Sequence, residues 1–360
     1  MALDRISLTH FRNHLLTQLD DARAFNLLVG ENGAGKTNVL EALSLLAPGR
    51  GLRRAALPDM AGPEGAGAFT IAASLRESGH ESARLGTYVE PDHPRRKQVR
   101  INGSEAKAAN LGEWLAISWL TPTMDGLFLD SAGARRRYID RLALAIDPAH
   151  GRNVTRYDAA LRERNKLLES GSDASWLDAV EAQAADHGAR VSAGRKALIA
   201  ELGEALSALP DEPFARPVLS YLSGGPADRA QLQDAYRSNR ARDRAAGRTL
   251  SGPQRDDLEV VMAGSGQAAA LCSTGEQKAM LIAITLAHAE LAAQGRPSVL
   301  LLDEVAAHLD PVRRAALFER LRSAGVQCWL TGTEIAPFNA IQQEAAVWKV
   351  SDGTATKQSG

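Results

Sequence analysis

One eight-residue string limits this chain more than any other property: Gly30-Glu31-Asn32-Gly33-Ala34-Gly35-Lys36-Thr37. The first glycine and the closing glycine-lysine-threonine stand at the spacing of a phosphate-binding loop. Phe25, Leu27, Leu28 and Val29 before it read as a buried strand, and Asn38 to Leu46 has the spacing of a helix with one buried face. In a strand, loop and helix of that order, N–H groups around Gly30, Asn32, Gly33 and Gly35 can curve about phosphate oxygens while the helix N-terminus adds a favourable field. Lys36 is expected to neutralise phosphate, Thr37 to offer its hydroxyl to Mg²⁺, and Asn38 to support the helix start.

A loop of this kind needs a partner strand that brings acids to the metal. Ser298-Val299-Leu300-Leu301-Leu302 reads as a buried parallel strand, and it ends in Asp303-Glu304. Standing alone, two acids at a strand end read as solvated turn chemistry. Behind four apolar residues and beside a complete phosphate loop, Asp303 is expected to orient Mg²⁺ through water and Glu304 to polarise an attacking water. Lys36, Asp303 and Glu304 are the expected catalytic set, with Thr37 and Asp303 at the metal.

The remaining pattern predicts an α/β protein. Ile6, Leu8 and Phe11 alternate as an opening strand, and residues 69–75 and 84–89 read as further strands. Asn102-Gly103 is a hairpin turn signal after Val99 to Ile101, so an antiparallel side sheet is expected there. From Ala134 to Leu209 apolar residues recur at helical intervals, with Gly151, Gly171 and Gly188 expected to break the run into several packed helices. Another helix is expected over Ala230 to Ala245, short strands over Val326 to Leu330 and Val347 to Val350, and a frayed tail over Gly353 to Gly360.

Charge and composition exclude several classes. The 42 basic and 43 acidic side chains leave a net charge of −1, so nothing global announces a nucleic-acid binder. Two cysteines, Cys272 and Cys328, are too few for a disulfide scaffold, which points to a reducing compartment. No export signal is visible at the start, and no stretch approaches the roughly 20 apolar residues of a membrane span. The cytoplasm is the expected location. Arginines cluster locally, at Arg135-Arg136-Arg137 and at Arg237, Arg240 and Arg244. Either cluster can face DNA phosphates or serve as solvated and intramolecularly paired surface.

Cys272-Ser273-Thr274-Gly275-Glu276-Gln277-Lys278 resembles the signature of ABC-type ATPases, and Asp310 resembles their dimer-contacting aspartate; a helix-capping role before Pro311 is the alternative, and the two can coexist. With Leu8-Thr9-His10-Phe11-Arg12-Asn13, Pro122 to Asp140, Ser251 to Asp257 and Leu330 to Glu334, the ordered set is similar to the RecF family of bacterial recombination mediators across nearly the whole chain. That family shares its superfamily with SMC-type heads, but here no room exists for hundreds of coiled-coil residues. The sequence departs from the family in Gln254, where histidine is common, and in Glu304, where a second aspartate is common.

The resemblance implies an ABC-type P-loop ATPase head with an antiparallel side sheet and an inserted helical lobe with a short arm. Its parts would be residues 1–124 and 295–360 for the ATPase lobe and 125–294 for the helical lobe that carries the signature. It further implies ATP and Mg²⁺ sandwiched in a homodimer, with Ser273, Gly275 and Asp310 reaching the opposing nucleotide. The implied activity is weak DNA-dependent ATP hydrolysis in a cytoplasmic, nucleoid-associated protein that binds duplex DNA near single-strand gaps. RecR and RecO are the implied partners, RecA loading the implied outcome. Thr331 and Thr333 stand where many ABC proteins place a phosphate-sensing histidine, and no glutamine is evident in Leu120 to Gly126, which implies slow turnover. The competing readings are an SMC-like chromosome-binding ATP switch with negligible turnover and, behind it, an ABC transporter ATPase subunit.

Overall fold

In the computed structural model, residues 3–77, 80–171, 173–210, 212–293, 296–306 and 309–358 are described. The chain divides by packing into one unit of residues 1–125 and 281–360 and another of residues 126–280. The expected boundary at 294/295 lies outside the described residues.

The first unit opens with strands β1 (Leu3–Phe11), β2 (His14–Leu19) and β3 (Phe25–Val29), then helix α1 (Lys36–Ser44). Strands β4 (Phe69–Glu77), β5 (His80–Val89), β6 (Gln98–Ile101) and β7 (Ser104–Ala106) follow, then a helical turn α2 (Leu111–Trp114) and β8 (Ala116–Leu120). The antiparallel side sheet has the order β2-β1-β4-β5-β6-β7. Its β6–β7 turn is the expected Asn102-Gly103, both at positive φ (51° and 83°), the backbone that lets a two-residue turn follow the twist of its strands.

The second unit holds helices α3 (Ala132–Ile146), α4 (Pro148–Ser170) and α5 (Ala174–Ser207), strand β9 (Pro217–Leu222), helices α6 (Arg229–Ser238) and α7 (Arg240–Ala246), and strand β10 (Asp257–Met262). Of the three glycines expected to break the helical run, only Gly171 does so, as a left-handed C-cap of α4. Gly188 lies inside α5 because a Cβ there would come within 2.8 Å of Tyr157 and 2.9 Å of Leu232; its missing side chain allows close helix packing. Gly151 similarly sits against Leu144, inside α4. The helix expected over 230–245 is two helices that meet at Asn239.

Helix α8 (Thr274–Ala292) runs through the division between units, and the chain then completes the central sheet with β11 (Ser298–Leu302), helix α9 (Pro311–Ser323), β12 (Gln327–Gly332), β13 (Ala345–Ser351) and β14 (Thr354–Lys357). The sheet order is β14-β13-β3-β12-β11-β8, parallel except at β14. The tail expected to fray is therefore a strand as far as Lys357; residues 359–360 lie outside the described set. Leu27, Leu28, Leu300, Leu301 and Leu330 are fully or almost fully buried, as strands covered on both faces require. This order sets β12 between the strand that feeds the phosphate loop and the strand that ends in the acids. Among the described residues, no helix is long and apolar enough to cross a membrane.

Candidate nucleotide site

The phosphate loop follows β3 directly, and helix α1 begins at Lys36, two residues earlier than the periodicity suggests. Gly33 and Gly35 take φ of 84° and 116°, a region costly for any side chain. Gly30 has a different reason: a Cβ there would collide with the Val350 carbonyl oxygen. Backbone N–H groups of Gly33, Gly35, Lys36 and Thr37 have no protein acceptor among the described residues, which leaves a helix N-terminus lined with donors.

The loop is held by two turns, one between β1 and β2 and one between β13 and β14. Asn13 Nδ2 donates to the Ala34 carbonyl (3.1 Å) and the Gly353 N–H donates to the same oxygen (3.0 Å). His14, wholly buried, places Nε2 3.0 Å from the Gly35 carbonyl and Nδ1 2.8 Å from Thr17 Oγ1. Burial keeps its imidazole pKa below the usual value, against the pull of the Gly35 and Gly353 carbonyls. Arg12 is the bidentate partner of buried Glu41 on α1, with two 2.9 Å bonds. At the far end of α1, Lys97 Nζ donates to the carbonyls of Leu45 (2.7 Å) and Ala47 (2.9 Å), and burial pushes its pKa down to about 7. The roles of His14, Gly353 and Lys97 carried no sequence signal beyond a glycine in a predicted tail, because their contacts join segments far apart in the chain.

The two expected halves of the site meet. Thr37 Oγ1 donates to Asp303 Oδ1 at 2.9 Å across 266 residues of sequence. Thr331 Oγ1 donates to the same oxygen at 2.8 Å. Lys36 Nζ donates to the carbonyls of Gly30 (2.7 Å) and Glu31 (2.8 Å), and its pKa is lowered by burial against the opposing pull of Glu304 and Asp303. Glu304 sits at φ 55°, in the left-handed region, with its N–H on Thr331 Oγ1 at 2.9 Å. Asn38 faces away from this group: it donates to Asn13 Oδ1 and accepts from Arg53, each at 2.7 Å. Asn32 is exposed in the loop.

The donor set fits Mg²⁺. Because the Thr37 proton is committed to Asp303, the hydroxyl offers lone pairs outward, beside a carboxylate, and both are hard oxygen ligands. No cluster of three or more His, Cys, Asp or Glu able to hold a metal occurs among the described residues. That suits an ion bound by one or two protein oxygens plus a substrate's phosphates.

The signature segment forms a reciprocal cap. Ser273 donates through both N–H and Oγ to Glu276 Oε2 (2.8 Å each), and the Glu276 N–H returns to Ser273 Oγ (3.3 Å). Ser273, Thr274 and Gly275 are exposed, and a Cβ on Gly275 would meet nothing within 4 Å. Asp310 caps α9, accepting from the Arg313 N–H at 3.0 Å ahead of Pro311. Residues 307–308, which link it to the acidic pair, lie outside the described set.

The arginine clusters divide. Arg135 holds Asp257 by two 2.7 Å bonds, and Arg136 donates to the Asp256 carbonyl. Arg240 is bound to Asp178 and buried Glu181, and exposed Arg237 reaches Asp178 at 3.3 Å. Arg244 donates to the Leu168 carbonyl at 2.6 Å, which caps the end of α4 without neutralising its charge. Arg137 is exposed, as are Arg242, Arg248 and Lys166.

Comparison with known proteins places the chain. The RecF/RecN/SMC N terminal domain matches residues 2–356. DNA replication and repair protein RecF of Brucella suis biovar 1 is 45% identical, with 99% of this chain and 96% of that protein covered. RecF of Mesorhizobium japonicum is 44% identical over 98% and 97%. The solved structure of the recombination mediator protein RecF-ATPrS in the RecFOR pathway superposes with a TM-score of 0.87 at 23% identity, covering 99% of this chain and 98% of that one. An Smc head domain from Pyrococcus furiosus gives 0.52 at 16%, over 99% and 96%. The fold is that of an ABC-type ATPase head, and the chain belongs to the RecF family of DNA replication and repair proteins.

Proposed function

We propose that the chain binds ATP with Mg²⁺ at the phosphate loop, pairs with a second copy across the nucleotides, and in that state holds duplex DNA beside single-strand gaps. The observation that carries this reading is the 2.9 Å bond from Thr37 to Asp303, which joins a phosphate loop to an acidic strand end. Lys36 and the free loop N–H groups bind phosphate oxygens, and Thr37 and Asp303 hold the ion. Mg²⁺, when bound, supplies charge neutralisation at the phosphates. Glu304 takes the proton from an attacking water, and slow hydrolysis releases the paired heads.

Two exposed apolar residues support pairing. Leu271, 74% exposed, lies two positions before Ser273, and Val312, 69% exposed, lies two after Asp310. A second copy that reaches its nucleotide through Ser273 and Gly275 removes Leu271 from water, and one that reaches it through Asp310 removes Val312. For DNA, exposed Arg137, Arg242, Arg244, Arg248 and Lys166 are the phosphate-facing candidates, with exposed Arg237 behind them because it is paired with Asp178, since Arg135, Arg136 and Arg240 are engaged inside the helical unit. Family membership supports RecR and RecO as partners and RecA loading as the outcome.

Light scattering and DNA binding with ATP, ADP and no nucleotide test this reading, on duplex, single-strand and gapped substrates. ATP alone doubles the mass and tightens binding to gapped duplex; Lys36→Ala loses both, and Glu304→Gln keeps the dimer but stops phosphate release. A mass indifferent to nucleotide rules out the sandwich.

A further inference from the structure

Thr331 is the next-to-last residue of β12, 1% exposed, on the strand between β3 and β11. In the sheet register Leu330 pairs with Leu302, so Thr331 stands level with Asp303 on one side and with Leu28 on the other. Its hydroxyl has one proton and accepts through oxygen lone pairs. The proton goes to Asp303 Oδ1 (2.8 Å), and the oxygen accepts the Glu304 N–H (2.9 Å).

Each bond fixes something different. Asp303 Oδ1 collects two hydroxyl protons, from Thr37 and Thr331, and this pins the carboxylate's rotation. Along an extended strand, Glu304 would alternate to the opposite face from Asp303. Its left-handed turn, φ 55°, breaks the alternation, and at the Lys36 ammonium, whose pKa burial lowers, both carboxylates pull the other way. A glutamate keeps such a backbone only where its surroundings over-determine it. The bond from its N–H to Thr331 is one contact that does so.

We propose that Thr331 is a positioning residue that sets both acids, Asp303 through its side chain and Glu304 through its main chain, and that it does not touch the terminal phosphate. The proposal rests on the assignment of Asp303 to the metal and Glu304 to the water. The one hydroxyl proton of Thr331 is committed to Asp303 Oδ1 and is not available to a phosphate oxygen, which separates this residue from a phosphate sensor.

The test compares Thr331→Val, which keeps the shape and removes the hydroxyl, with Thr331→Ser, which keeps it. Binding of a fluorescent ADP is titrated against Mg²⁺, and turnover is measured beside it. In the valine variant the Mg²⁺ needed for half-saturation rises about 10-fold and turnover falls about 10- to 100-fold, the scale expected when a ligand's outer partner is lost. Metal-free nucleotide affinity stays at the wild-type value, and serine restores both quantities to within about 3-fold of wild type. If the valine variant does not fold, Thr331→Cys, a poor donor of similar size, must show the same split.

Wild-type Mg²⁺ dependence in the valine or cysteine variant overturns the proposal. So does an equal loss of metal-free affinity, which marks Thr331 as a phosphate contact. Asp303→Asn and Glu304→Gln separate the two levels of the argument. If neither alters Mg²⁺ dependence or turnover, the assignment of the acids falls; if both do and Thr331→Val does not, only the role of Thr331 falls.

Discussion

Around the phosphate loop, polar groups are fastened on one side and left with capacity on the other; inside the helical unit, charged groups use one another up. Thr37 gives its proton to Asp303 and keeps outward lone pairs, and the loop N–H groups have no internal acceptor. Arg164, by contrast, is fully buried and binds Glu181, Asp243, Thr249 and the Tyr236 carbonyl. Arg195 binds Asp140, Asp256 and the Pro253 carbonyl in the same manner. An ionisable side chain is evidence of function only to the extent that the fold leaves its valences unfilled.

The largest expected effect breaks the second pattern. Arg164→Met leaves Asp243 buried without its cation and Glu181 with Arg240 alone, and costs about 3–5 kcal/mol of stability, read as a lowered urea midpoint of the full chain. Lys36→Ala, which removes two hydrogen bonds to loop carbonyls, lowers the midpoint far less while it removes ATP binding. Equal midpoint losses would erase the distinction between the two regions.

A smaller effect depends on pH. The folded pKa of Lys97, about 7, lies below the ordinary lysine value of 10.5. Between those values the unfolded chain binds a proton that the folded chain does not. Stability from this group therefore rises with pH above about 7, by at most about 1.4 kcal/mol per unit, and levels off near the unfolded pKa. The neutral amine still has two hydrogens for Leu45 and Ala47, so deprotonation relieves burial without breaking the anchor. The urea midpoint of wild type minus that of Lys97→Met rises from pH 7 to 9 as the wild type gains. Parallel curves would show that Lys97 does not titrate in this range.

What the sequence disclosed follows the same division. The phosphate loop is legible because its chemistry resides in consecutive residues: Gly33 and Gly35 for φ, Lys36 and Thr37 for charge and hydroxyl. The acidic pair is legible because the run of Val299 to Leu302 announces a buried strand. Arg135 was not separable from Arg137 because its partner, Asp257, lies 122 residues away. Gly188 carries no mark that distinguishes a helix break from a close helix contact, since Tyr157 and Leu232, which require its missing Cβ, come from other helices. Thr331 could be noticed as polar in an apolar strand, but not as a partner of two acids at once.

Neighbours on α3 give the finest test. Arg135 lowers the pKa of Asp257 chiefly by hydrogen bonding to it, whereas exposed Arg137 has no such acid fixed to it among the described residues. Arg135→Ala should cost about 1.5–3 kcal/mol in a urea melt, the scale of hydrogen bonds to a charged group, and leave the DNA affinity of the folded fraction unchanged. Arg137→Ala should leave the melt within about 0.5 kcal/mol and reduce by about 1 the slope of log affinity for duplex DNA against log salt. The two variants share a helix, a residue type and nearly a position, so general charge loss predicts the same result for both. A salt slope that falls in Arg135→Ala but not in Arg137→Ala would mean that pairing with Asp257 does not keep an arginine from DNA.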